Sequence, residues 1–408
     1  MIQPSLREHF ATAVLGIVLA AGPAAAQVTV QCPGDTRRGD AVIDRVDPNH
    51  PNAKCMHLAA GDGYVRMADG REQYIFGFSN VTGTPENQVM QTGLLNASFP
   101  APPIQLDQGD EFFLNLTNVG MVVRPDLFDP HTVHWHGFPN AAAVFDGLPD
   151  SGIAIGMGAT LTYYYNVVQP GTYMYHCHVE AAEHMQMGML GNLYVRAAQD
   201  KTPAGQPVCP GSSFIHQAGL KYAYNDCDGS TRYNADFPIQ IGSFDSAFHD
   251  ASEAVQPLPF SLMRDNYPML NGRGYPDTVR ASVPAPAGNG GKPSQLEGSL
   301  VTASAGQRIL LRISNLNVTR FYTLQTVGIP MLVVGKDARL LRGPDGKNLY
   351  HTTTSVTLGG GESVDVILDT TGVAPGTYFL FASQLNYLVN NDENSAGMGG
   401  MLTEIRVL

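Results

Sequence analysis

Residues 109–118 read GDEFFLNLTN, and residues 306–315 read GQRILLRISN. They share an opening glycine, a central leucine and a closing asparagine. Further out, HTVHWHG (131–137) aligns with YTLQTVG (322–328), and PGTYMYHCH (170–178) with PGTYFLFAS (375–383). GMLG (188–191) then aligns with GMGG (397–400). Four blocks in one order and at comparable spacing indicate a duplicated unit. The blocks, with runs such as ATLTYYYNVV and ESVDVILDTT, are short and strand-like, and Gly, Pro, Asn and Asp punctuate them. The expectation is an all-β chain of two domains.

Composition supports this. The chain has 408 residues, too many for one ordinary core. Hydrophobic residues make up 43% and charged ones 15%, enough apolar material for packed cores. The counts of 44 Gly and 28 Pro favour a turn-rich β protein. A net charge of −12 argues against nucleic acid or an anionic membrane as a partner. Arg7, the apolar run AVLGIVLAAG and the small residues at 24–26 read as a signal peptide over 1–26. That places the protein in the periplasm or outside the cell, where disulfides persist. The stretch 197–213 is polar and rich in Pro and Gly, so the expected domains are 27–200 and 213–408. PAPAGNGGKPS (284–294) is expected to be a loop.

Of the five cysteines, Cys177 sits among histidines, which leaves Cys32, Cys55, Cys209 and Cys227. Three pairings are possible. The local one, Cys32 with Cys55 and Cys209 with Cys227, is expected, because each pair opens one domain.

The two halves differ in their chemistry. His131, His134 and His136 correspond to Tyr322, Gln325 and Val327. His176, Cys177 and His178 correspond to Phe381, Ala382 and Ser383. Residues that differ while their frame repeats are not there for folding. Strand alternation sorts them into two back-to-back groups. Cys177 and His131 share one side, completed by His184 and Met189 from the loop that follows. Two imidazoles, a thiolate and a weak thioether are the donor set of a blue copper. Zinc is the rival metal. Met185 and Met187 read as core filler. His134, His136, His176 and His178 share the other side, suited to a copper that meets a small acceptor. Electrons would reach it through Cys177. Glu180 and Glu183 read as solvated.

H-x-x-H-x-H-G followed by H-C-H, a histidine and Gly-Met resembles the multicopper oxidase family. FDGLPDSG (145–152), NGRGYPDT (271–278) and TLGGGESVDVILDTTG (357–372) extend the likeness across residues 65–408. The resemblance implies two cupredoxin-like Greek-key β-sandwich or barrel domains, the second without copper ligands. It implies type 1 copper at His131, Cys177, His184 and Met189, with type 2 or type 3 copper at the four remaining histidines. It also implies a laccase-like enzyme that takes electrons from a small or protein donor and reduces dioxygen. By the same resemblance Asp146 corresponds to a residue that assists proton delivery, although FDGLP is equally a good turn. Two departures stand out. CHVEAAEH is longer than the common laccase segment, and the family's oxygen-reducing cluster takes eight histidines from two domains where this chain shows four. The second half has only His216, His249 and His351 and no H-x-H pair. The natural cover for the four-histidine site is then another subunit, so a homo-oligomer, a trimer by preference, is expected. The alternatives are an electron carrier using the blue copper alone, a nitrite-reductase-like enzyme, and a monomer whose second domain folds over the site.

Overall fold

The computed structural model describes residues 28–391 and 399–408. The expected leader and the first two residues of the GMGG block lie outside them. Each half is a pair of sheets. In the first half one sheet runs Glu72–Asn80, Ala53–Arg66, Glu111–Gly120, Thr160–Asn166, and the other Ala101–Asp107, Leu190–Arg196, Gly171–His176, His134–His136. Tyr74, Phe76, Leu114, Leu116, Tyr163 and Tyr175 fill the space between them.

The second half repeats this topology. Glu111–Gly120 lies parallel to Ala53–Arg66 and antiparallel to Thr160–Asn166. Arg308–Asn315 lies parallel to Ala235–Phe244 and antiparallel to Glu362–Asp369. In the other sheet a parallel pair is followed by two antiparallel strands in both halves. The repeat holds to the residue. His134 pairs with His176, and Gln325, its counterpart, pairs with Phe381, the counterpart of His176. Both expected disulfides form, Cys32–Cys55 and Cys209–Cys227, and Cys177 is free and buried. Asn289, in the expected loop, is buried and bonds the backbone of Tyr64 in the first half.

A lone sandwich would show alternating burial along its strands, with one face wet. Here Arg308–Asn315 and Glu362–Asp369 are buried on both faces, because the first half together with Ala223, Tyr224 and Tyr233 of the second covers the outer one. Ile309, Leu311 and Ile313 enter the sandwich core, and Leu310 faces the other way with Tyr224 and Ile367. Arg312 shares that outer face. It is fully buried and pairs across the strands with Asp365. Its Nε donates to Asp236 at 3.0 Å, Nη1 lies 3.9 Å from Asp365, and the guanidinium sits over the Tyr194 ring of the first half. Thr172 Oγ1 of the first half donates to Asp365 at 2.5 Å, and Ser314 Oγ donates to Asn192 at 3.0 Å. The halves therefore meet through a buried polar network whose members depend on one another.

Removing one partner of a buried pair strands the other charge. Asp236→Ala is expected to lower stability by about 3–5 kcal/mol, read from denaturant unfolding of the metal-free protein. Asp236→Asn, which still accepts from Nε, is expected to cost less.

Candidate metal centres

The strand Gly171–His176 ends just before Cys177, and the side chains alternate through the end. Tyr173, Tyr175 and Cys177 enter the core, while His176 and His178 leave by the opposite side toward a cavity.

On the core side, His184 Nδ1 lies 3.2 Å and His131 Nδ1 3.9 Å from Cys177 Sγ, and all three residues are fully buried. The Thr132 N–H also points at the sulfur, at 3.4 Å. An isolated bridge to Ile155 holds His131. His184 rides on a helix, Ala181–Met187, where the sequence suggested a loop. The run AAEHMQM consists largely of good helix formers, and Gly188, at φ 118°, closes it in the left-handed conformation. The turn after it brings back Met189, whose carbonyl accepts from the Cys177 N–H at 3.1 Å and whose N–H donates to the His184 carbonyl at 2.8 Å. Met187 and Met189 both enter the core cluster that contains Cys177, while Met185 lines the cavity.

Burial by itself raises the Cys177 pKa, but the charge and hydrogen bonds of His184 and His131 outweigh it and bring the thiol well below its ordinary value. Burial likewise lowers His184, and Cys177 with Asp129 more than reverses it, to about 10. A thiolate and two imidazole nitrogens, all within 4.8 Å of one another, suit a soft metal in a His₂Cys site.

On the cavity side, donor atoms of His134, His136 and His176 also lie within 4.8 Å of one another. Cross-strand pairing of His134 with His176 creates this, because directly opposed residues share a face. The His178 ring sits beside them, 5.2 Å from that of His134 and 5.5 Å from that of His176. His134 Nδ1 is 2.6 Å from the Asp146 carbonyl oxygen, and His176 Nδ1 is 2.8 Å from that of Cys177. These contacts leave Nε2 of each ring for the cavity, the pattern of a metal-ligating histidine held by an outer partner. Burial holds His176 at about 3, and burial with the charge of His134 lowers His136, so both rings are in the neutral, ligating form. Asp146 meets His134 chiefly through its carbonyl, and its carboxylate stands 3.4 Å from Nδ1.

The cavity, of about 520 Å³, is lined by all four histidines and by Asn317, Thr319, Arg320, Phe321 and Gly361 of the second half. Sequence reasoning assigned the cover to another subunit; the chain's own second half supplies part of it. No second-half histidine lines this cavity. His216 bonds Tyr222, His351 is exposed, and His249 Nδ1 and Nε2 face the carbonyls of Tyr74 and Gln186.

Three contributors escaped the sequence reading. Asp129 lies 3.8 Å from His184 Nε2, and a carboxylate two residues before His131 was its only signal. Its carboxylate, Glu180 and His184 also bring ligand atoms within 4.8 Å of one another. Glu180 is exposed as expected, whereas Glu183 is half-buried and its pKa is raised by burial. His249 packs against the His184 helix through Gln186. Gly361 meets His136, and one glycine within a Gly-Gly-Gly run does not stand out.

Residues 78–200 and residues 251–404 each match a family profile described as multicopper oxidase. Laccase-2 of Botryotinia fuckeliana is 24% identical over 307 residues, 74% of this chain and 44% of that protein. Copper resistance protein A of Escherichia coli is 24% identical over 317 residues, 75% of this chain and 46% of that protein. The chain thus spans less than half the length of these curated relatives. A solved structure, the blue copper oxidase from Nitrosomonas europaea, superposes with a TM-score of 0.60 at 22% identity, covering 87% of this chain and 86% of that one. That likeness is one of fold, and it makes the two sandwiches cupredoxin-like.

Burial also pushes His57 and His249 down to about 4 from the usual 6.5. Their folded values lie below their unfolded ones, so as pH falls the unfolded chain takes up these protons first. Stability of the metal-free protein is expected to decline from pH 6.5 toward about 4, by up to about 1.4 kcal/mol per pH unit for each histidine. Urea unfolding against pH checks this, and His57→Gln should make the slope shallower.

Proposed function

Because the chain belongs to the multicopper oxidase family, we propose that it is a copper-dependent oxidoreductase with a blue copper site and a histidine copper site. His131, Cys177, His184 and Met189 hold the first, a type 1 centre. His134, His136, His176 and His178 hold the second, of type 2 or type 3. Copper there supplies one-electron chemistry between a small-molecule or protein donor and a small acceptor, dioxygen.

The observation that carries the reading is the run His176–Cys177–His178. Cys177 belongs to the thiolate cluster and His176 to the imidazole cluster, so a single peptide unit joins the two. The lowered thiol pKa keeps Cys177 ready to ligate without a separate base. The carbonyls of Asp146 and Cys177 hold two imidazoles in the tautomer that presents Nε2. Asp146, whose carboxylate stands 3.4 Å from His134 Nδ1, assists proton delivery in this reading. The domains run 27–200, bearing the metals, and 213–408, without ligands. A cleaved leader over 1–26 delivers the protein to the periplasm or beyond. The functional unit is a homo-oligomer, a trimer, with a neighbouring subunit against the open side of the histidine cavity. Four histidines where the family cluster takes eight support this, as does Phe321, 71% exposed at the cavity rim.

Copper-loaded protein is expected to absorb intensely in the visible through thiolate-to-copper charge transfer, and Cys177→Ser to abolish the band, since a hydroxyl does not replace the soft thiolate. Colour that survives the substitution overturns the ligand assignment. Light scattering with metal analysis tests the assembly. A strict monomer that holds more than one copper per chain refutes the subunit-interface reading.

A further inference from the structure

We propose that Gly361, in the second half, is a positioning residue for His136, so that this half of the same chain sets the geometry of the histidine site. The proposal rests on the reading that this site holds copper. His134 and His176 each have a carbonyl against Nδ1, both from the first half. His136 has its outer contact across the boundary between halves and at the other nitrogen, Nε2, so Nδ1 is the atom it would offer to the cluster. A Cβ at Gly361 would stand 2.7 Å from His136 Nε2 and 3.0 Å from Cε1. Glycine therefore lets the backbone come up against the ring, and Gly361 lines the cavity together with His136.

This contact is anchored on both sides. The Gly361 N–H donates to the Asn315 carbonyl at 2.8 Å. The Gly359 N–H donates to Glu362 Oε2 at 2.6 Å, and Glu362 Oε1 pairs with Lys336 at 2.9 Å. Two residues on, Ser363 Oγ donates to the Thr172 carbonyl at 2.7 Å, and Thr172 Oγ1 donates to Asp365 at 2.5 Å, both bonds buried. Thr172 lies on the strand whose Met174 pairs with His136 and whose His176 pairs with His134. The turn that carries the glycine leads into Glu362–Asp369, and that strand is bolted to Gly171–His176, the strand against which His136 pairs. A shift of the second half would move the wall on which His136 rests.

The test is Gly361→Ala in the full-length protein. The obstructing atoms are the far end of a side chain, so the expected response is a displaced His136 ring rather than unfolding. Gly361 is at φ +90°, so the alanine also carries backbone strain. Gly372→Ala is the control, at φ +77° with nothing within 4 Å of its Cβ. Competitive chelator titration reads the two sites separately, the blue one by its visible absorption and the histidine one by total copper per chain less the blue copper. Gly361→Ala is expected to weaken copper at the histidine site by about 10–100-fold, the usual effect of losing an outer partner. The blue site and the Gly372→Ala protein should behave as wild type. Wild-type affinity in Gly361→Ala, or parallel loss from both sites, overturns the proposal. A second reading needs no metal. Thermal unfolding of the metal-free protein should register Gly361→Ala beyond its control in the wild-type background and not in His136→Ala, where the ring is gone. An equal effect in both backgrounds also overturns it. Absence of copper from the histidine site of the wild-type protein would instead sink the functional reading on which this rests.

Discussion

The alternation of side chains across Cys177 is the constraint on which the rest depends. A strand sends neighbours to opposite faces, so His176 and Cys177 cannot serve the same cluster. Cys177 goes into a core of tyrosines and methionines, where its thiol meets His131 and His184. His176 goes to the cavity and pairs with His134. The two clusters are therefore as close as a polypeptide permits while being chemically separate, one thiolate-containing and shut in the core, the other all imidazole and facing solvent.

Burying a thiol among imidazoles requires a frame that does not give. The sandwich supplies it on the core side, and the docking of the second half supplies it on the cavity side. That docking is polar. Arg312, Asp236, Asp365, Thr172 and Tyr224 form a largely buried set in which Asp365 gathers Thr172, Tyr224 and Arg312 while Arg312 reaches on to Asp236. Such networks are weak sources of net stability, because desolvation offsets attraction, but they demand one geometry. Here the geometry they demand is that of the strand carrying His176.

Duplication explains why one half has the chemistry and the other only its outline. Gln325 and Phe381 occupy the register of His134 and His176, and Ala382 that of Cys177. The second half contributes no histidine to the cavity and forms part of its wall. Asn317, Thr319 and Gly361 border the cavity that the first half's histidines face. It also reaches the other cluster, through His249 against Gln186 on the helix of His184. Asp129 stands on that cluster's outer side, facing the His184 nitrogen that does not point at sulfur.

The sequence by itself determined the duplicated β architecture and the grouping of His131 with Cys177 and of His134 with His176, while it left three disulfide pairings open, of which the structure forms the local one. These follow from short-range rules, since strand period and repeat alignment need no knowledge of distant residues. It missed the helix Ala181–Met187, because seven residues among histidines and methionines carry little pattern of their own. Only the tertiary structure decided that Arg312 is buried on a face that alternation would leave wet, and that Asp146 holds His134 through its carbonyl. It alone decided that Gly361, 225 residues after His136, meets that ring. Docking two sandwiches depends on the shape of whole sheets, and no local run of residues encodes which backbone will arrive against which side chain.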